Sequence, residues 1–320
     1  SAAAEPAASS RAGAARRHAL SALPCLVTGV LTLALVLALY LAQPAPLQQL
    51  DRQAYDLFLR LTAGGEPPPG IVIVDIDEKS IASLGQWPWP RYLVAALLEN
   101  LDSAGASAIG LDILFSEADR TSVSHVRSML KRFMDLDMTV QGLPDEVLDN
   151  DAILADALAA TPSVVSMYLR FGAERAPLPA ASLPAASLPA APGLAVRELE
   201  APAPGVSPTA GLITAGSATL PLPAFSTAAP VAFYNADLDS DGLLRRMSLV
   251  IAVQEKIYAG LALRTLMLAR GVSALVLETG ADGTEGVRVG DLVIPVSPDG
   301  TMPVLFRGPG RAYPYVSAVD

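Results

Sequence analysis

A mixed α/β fold is the class this sequence predicts: a parallel strand-helix-strand core carrying appended antiparallel hairpins, preceded by one transmembrane helix. Three observations predict it. Residues 71–77 (Ile-Val-Ile-Val-Asp-Ile-Asp) and 108–115 (Ala-Ile-Gly-Leu-Asp-Ile-Leu-Phe) are short, β-branched and apolar at nearly every position. Strands covered on both faces have that character. Between them Leu93, Val94, Leu97, Leu98 and Leu101 recur at helical spacing, opened by Pro90 and closed by Gly105. A connection of that length makes the two strands parallel, with a right-handed crossover. Ligands of such sheets sit at the carboxyl ends of the strands, near which Asp75, Asp77 and Asp112 fall.

Residues 19–42 carry no formal charge and are dominated by Leu, Val and Ala, a run longer than the ~20 residues a bilayer-spanning helix needs. A cleaved signal peptide has an apolar region of only ~7–15 residues, so an uncleaved anchor is expected. Arg11, Arg16 and Arg17 precede the run and no Lys or Arg follows before Arg52. That bias puts residues 1–18 in the cytoplasm and everything after Pro44 outside. The 52% apolar content and mean hydropathy of +0.41 agree with a lipid-facing segment.

Residues 44–63 read as a juxtamembrane stalk helix continuing from the span, with Leu50, Tyr55, Leu57, Phe58 and Leu61 alternating with Asp51, Arg52, Asp56 and Arg60. Gly64-Gly-Glu-Pro-Pro-Pro-Gly70 ends it, since proline cannot continue a helix. The domain follows over 70–320. After Phe115 an amphipathic helix is expected over 122–133. Asp149 or Asn150 caps the next, in which Ile153, Leu154, Ala157 and Leu158 share a face. Thr161-Pro162 stops that helix, and residues 163–169 form a third apolar strand, parallel to its neighbour.

Residues 172–208 hold Leu-Pro-Ala-Ala-Ser twice and then Leu-Pro-Ala-Ala, amid further Pro and Ala. Such a segment has little apolar surface to bury and is expected neither to pair as a strand nor to pack. From Val231 onward, β-like runs at 231–234, 243–253, 274–278, 286–289, 292–296 and 302–306 alternate with Asp-Gly turns. One helix, 257–270, interrupts them and ends at Gly271.

Several chemistries are unsupported. The net charge of −10 argues against nucleic acid. Cys25 is the only cysteine, which rules out an internal disulfide and a Cys-clustered metal site. His18 precedes the apolar run and His125 has no serine elbow to serve. No glycine loop cradles phosphate, and no cofactor is implied.

Asp75, Asp77 and Asp112 converging at one edge would suit a divalent cation, or would cap helices and tie down loops. Asp75-Ile-Asp77 after an apolar strand also resembles the opening of haloacid-dehalogenase phosphatases, but no matching Lys and later acidic pair follow. Asp237, Asp239 and Asp241 look like the start of a calcium loop whose twelfth position would be Ser248 rather than an acidic residue. A turn with Gly242 in the left-handed region accounts for them better. Trp87, Trp89 and Arg91 form a cluster that either meets a ligand or packs the start of the helix.

Taken together, Tyr55-Asp-Leu57, Val74-Asp-Ile-Asp-Glu-Lys-Ser80, Gly85-Gln-Trp-Pro-Trp-Pro-Arg91, Gly110-Leu-Asp-Ile-Leu-Phe-Ser-Glu117, Asp239-Ser-Asp-Gly-Leu-Leu-Arg-Arg246 and Phe306-Arg-Gly-Pro309 resemble a type-2 CHASE domain. This is the extracytoplasmic sensory module of bacterial adenylate and guanylate cyclases, histidine and serine/threonine kinases and diguanylate cyclases. The resemblance spans most of residues 50–320 and does not include the alanine-proline insertion. It implies a protein of the cell (inner) membrane, single-pass over these 320 residues, with its sensory domain periplasmic or extracellular and three further membrane helices beyond Asp320. It further implies an unidentified ligand outside and a cytoplasmic output enzyme beyond Asp320, the sensor being incomplete on that side and not itself an enzyme. A homodimer stays open as the assembly. The rival reading is a membrane-tethered, metal-dependent hydrolase using Asp75, Asp77 and Asp112.

Overall fold

A computed structural model describes residues 27–62, 68–142, 144, 147–172, 182–184, 195–196, 209, 211–253, 256–280, 283–308 and 310–320. Two compact units result. The first contains residues 27–62 with 306–308 and 310, the second the described residues of 68–305 and 311–320.

In the first unit α1 (Val27–Ala42) is exposed on all sides and α2 (Ala45–Thr62) is amphipathic. Residues 19–26 of the expected span lie outside the described residues. Among those described, no single helix is long and apolar enough to cross a membrane. α2 follows α1 in the chain, as expected of a stalk helix, but at an angle: the two helices meet at 78°. Pro44 has no amide to continue the ladder, and Gln43 turns into the left-handed region with φ +40. Hydrogen bonds fix the corner. The Gln43 side chain donates to the Tyr40 carbonyl at 3.0 Å, the Gln48 side chain donates to the Gln43 carbonyl at 2.7 Å, and the Leu47 and Gln48 amides donate to the Pro44 carbonyl.

The second unit is built around β3 (Ser163–Arg170), the third expected strand. It pairs parallel with β2 (Ile109–Gly110) and with β7 (Val231–Phe233), and antiparallel with β6 (Ser217–Thr219) near its end. The parallel pair expected between residues 71–77 and 108–115 does not form. β1 (Ile73–Asp75) instead pairs parallel with β15 (Tyr315–Ser317), close to the far end of the chain. Nor is β1 covered on both faces: its residues are half-buried, and Ile71 and Val72 are exposed. The β-branched composition fixed the strand but not its partner.

The intervening segment supplies two helices, α3 (Glu78–Leu84) and α4 (Arg91–Ser103), and Gly105 with φ +88 closes the second. α5 (Val123–Met134) and α6 (Asn150–Ala160) follow, the latter capped by the Asp149 carboxylate, which accepts from the Asp151 amide. Leu154, Ala157 and Leu158 of α6 join Leu98 of α4, Phe115, Phe225 and the Val165, Met167, Leu169 face of β3 in one core. Fully burying each such leucine is worth about 1.5–3 kcal/mol. α7 (Pro223–Ala228) completes that layer.

Two corrections concern the later chain. Residues 257–259 are not helical: β10 (Lys256–Ala259) forms a hairpin with β9 (Val250–Val253), and α8 (Leu261–Ala269) begins only after Gly260. β8 (Arg246–Ser248) pairs with β14 (Thr301–Pro303). The other hairpins do not extend the parallel sheet. β11 (Ala274–Gly280), β12 (Gly283–Val289) and β13 (Leu292–Pro295) form a sheet of their own, packed with α8 and β9 in a second core. Most of the alanine-proline insertion lies outside the described residues. Two short pieces of it do pair, against expectation: β4 (Ser182–Pro184) with β6 and β5 (Ala195–Val196) with β11. An edge position tolerates the proline that a central strand would not.

Candidate functional site

Three polar groups of the second unit are built from the residues singled out in the sequence. The first ties β1 and α3 to β15. Asp77 is the N-cap of α3 and accepts from the Ser80 amide at 2.9 Å. The Ser317 hydroxyl donates to the same oxygen at 2.7 Å and lies 2.8 Å from the buried Ser80 hydroxyl. Lys79 pairs with Asp320. Asp75 contributes its backbone, its carbonyl accepting from the Ala318 amide. Hydrogen bonds from the Ser317 hydroxyl and then from Ser80 hold the Asp77 carboxyl at about 2, below its ordinary 3.8.

Because that value lies below the unfolded one, ionised Asp77 favours the docked form. The contribution is complete above the ordinary 3.8 and is lost as pH falls through about 2. Asp77→Ala is therefore expected to strip hydrogen-exchange protection from the Ile73 and Ala318 amides, which donate to Pro314 and Asp75 in this ladder. Asp77→Asn, which keeps an acceptor and a good cap, should retain most of it. Equal protection in wild type and Asp77→Ala at neutral pH would refute the linkage.

The second group surrounds Arg91. Pro90, the N-cap of α4, has no side chain to satisfy the first helical amides. Asp119 supplies one from another segment: its Oδ2 accepts from the Arg91 amide at 2.8 Å and from the Asn150 side chain at 2.8 Å. Its Oδ1 accepts from the Thr121 amide at 2.8 Å and hydroxyl at 2.7 Å. Asp151 Oδ2 accepts from the Asp119 amide at 2.9 Å. The Arg91 guanidinium lies 4.4 Å from the Phe115 ring centroid and donates to the Glu117 carbonyl at 3.4 Å. Arg91 Nε and Asp151 Oδ1 stand 3.7 Å apart, an ion pair without a hydrogen bond.

Burial drives these groups in different directions. Burial pushes the Asp119 carboxyl up, but hydrogen bonds from Arg91, Thr121 and Asn150 outweigh it and leave it below its usual range. Asp151, pushed up mainly by burial and by Asp149 and Asp119 beside it, ends above it. Burial likewise lowers Arg91 against the pull of both carboxylates. Trp89 is buried, donates to the Gly85 carbonyl at 2.8 Å and meets Trp87 edge-on at 5.8 Å between centroids, while Trp87 stays partly exposed. The Trp87-Pro88 bond is cis.

The third group is the 237–245 turn. Arg245, buried, pairs with Asp239 at 2.6 Å and with Asp241 at 2.8 Å. The guanidinium holds Asp241 at about 2. Gly242 has φ +81 and its amide donates to the Asp239 carbonyl. Two of the three candidate calcium ligands thus spend their charge on Arg245, and Asp237 stays exposed.

Asp112 goes elsewhere. At the carboxyl ends of β2, β3 and β7, Tyr168 and Tyr234 face each other at 5.8 Å. Burial and then Asp112 push the Tyr234 hydroxyl above its usual value. Among the described residues no group of three or more His, Cys, Asp or Glu side chains is placed to hold a metal ion. Asp75, Asp77 and Asp112 are therefore not one ligand set, and the hydrolase reading finds no support. Arg91, grouped in the sequence with Trp87 and Trp89, packs the start of α4 and serves Asp119 and Asp151. Neither of those two, nor Ser317, was singled out in the sequence. Asp119-Arg-Thr121 carries a local signal, an aspartate bonding its own backbone two residues on; for Ser317 there was none.

A family model described as the CHASE2 domain matches residues 30–320. No curated protein and no solved structure matches the chain.

Proposed function

Since the chain belongs to the CHASE2 domain family, a family of extracytoplasmic sensory domains, we infer that it is the membrane-anchored sensor of a bacterial signal-transduction protein, passing its signal to a cytoplasmic output domain of the cyclase, kinase or diguanylate cyclase class. The observation that carries the reading is the extent of the match, residues 30–320, which takes in most of α1 as well as the sensory unit. The charge-free run at 19–42, with Arg11, Arg16 and Arg17 close before it and no Lys or Arg after it until Arg52, supports an anchor with its N-terminus inside.

A sensor needs an element with two arrangements that ligand binding can bias. The β1–β15 ladder joins the start of the sensory unit to residues 315–317, held by the Asp77, Ser80 and Ser317 hydrogen bonds. A ligand that shifts one strand would shift the other. The anchor reading is tested by reporter fusions after Gly64. A phosphatase active only in the periplasm is expected to be active there, and a reporter that works only in the cytoplasm to be silent. The reverse pattern would overturn the topology.

A further inference from the structure

On the reading that α1 spans the bilayer, we propose that α2 lies flat on the extracytoplasmic membrane surface, with Leu50, Leu57, Phe58 and Leu61 dipped into the boundary between headgroups and acyl chains. These four recur at i, i+7, i+8 and i+11 and so share one face of the helix, filled in by Leu47 and Ala54. They are 61%, 56%, 65% and 73% exposed. The other side of α2, with Arg52, Tyr55, Asp56 and Leu59, is already half-buried within the chain. A contiguous apolar stripe of this kind on one helix marks an interface.

The corner between the helices decides what covers it. α1 is apolar and exposed all round, and Tyr40 in its last turn is of the residue type that marks headgroup level. Immediately beyond, the hydrogen-bonded turn at Gln43 and Pro44 redirects the chain by 78°. With α1 along the bilayer normal, α2 runs nearly in the membrane plane, and its 18 residues extend about 27 Å across the surface at 1.5 Å per residue. Leu47, Leu50, Ala54, Leu57 and Leu61 also fit heptad spacing. A parallel two-stranded seam, however, needs both α2 helices to rise together along the normal, which the corner prevents. Lipid is the occupant that the geometry favours. A peripheral helix of this kind inserts its apolar face about 5–10 Å.

The test uses the full chain in phosphatidylcholine–phosphatidylglycerol vesicles, with Cys25→Ser as background and one nitroxide label at a time on cysteines replacing Leu35, Gln49, Leu57 or Leu61. Labels at Leu57 and Leu61 are expected to be reached by oxygen and shielded from a water-soluble nickel chelate, at a depth shallower than Leu35, with Gln49 open to the chelate. Leu57 as open as Gln49 while Leu35 stays in lipid would overturn the proposal and leave the anchor standing. So would strong spin–spin broadening at Leu57 between copies, which would assign the face to a second chain. Leu35 open to the chelate would instead remove the anchor, and the proposal with it.

Discussion

Asp119→Ala is expected to cost about 3–5 kcal/mol of stability, the penalty of breaking a buried charged network by removing one partner. Asp119 is 6% exposed and accepts from the Arg91 amide, the Thr121 amide and hydroxyl, and the Asn150 side chain. Without it those donors face a site closed to water, at about 1–3 kcal/mol for each that stays unpaired. Of its two neighbouring carboxylates the Arg91 guanidinium keeps only Asp151, in a loose contact at 3.7 Å. The contributions share partners and will not add, so the total stays within the range given. Asp119→Asn retains an acceptor oxygen but loses the charge, and should fall between alanine and wild type. Urea unfolding reads the effect as a lowered midpoint at unchanged slope. An Asp119→Ala loss below about 1 kcal/mol would mean that solvent or a neighbour replaces the carboxylate, contrary to a buried hub.

Phe115→Ala is expected to be comparably severe, about 3–5 kcal/mol, for a different reason: it opens a cavity where two kinds of contact meet. The ring is 1% exposed, meets Phe225 edge-on at 5.8 Å and offers its face to Arg91 at 4.4 Å. Removing it takes away packing volume and the aromatic face under a guanidinium already pressed by burial. Phe115→Leu keeps most of the volume and should cost less, about 1.5 kcal/mol or under. Chemical denaturation of the pair separates the contributions. If leucine is as damaging as alanine, the aromatic face rather than the cavity dominates; if neither costs more than about 1 kcal/mol, the ring is not a core element.

What the sequence determined by itself is what neighbours three or four residues apart decide. The stripe of α6, the run that became β3, the cap at Asp149 and the left-handed glycines at 105, 242 and 271 all follow from local sterics and periodicity, and all appear in the structure. The motifs carrying the family resemblance are likewise short continuous strings, and the match over 30–320 bears that resemblance out. Partners were another matter. Nothing in Ile73-Val-Asp75 distinguishes residues 315–317 from residues 108–115 as a pairing strand, because both are apolar and extended. The choice rests on Ser317 and Asp77 meeting across 240 positions of sequence. Arg91 could have answered any nearby carboxylate, and only the packing of α4 against α6 puts Asp119 and Asp151 beside it. The alternating pattern of α2 showed an amphipathic helix but not its direction, which the corner at Gln43 and Pro44 sets. Local periodicity is fixed by a few adjacent side chains, whereas strand partners, charge partners and helix direction depend on free energies spread over segments that meet only when the whole chain has folded.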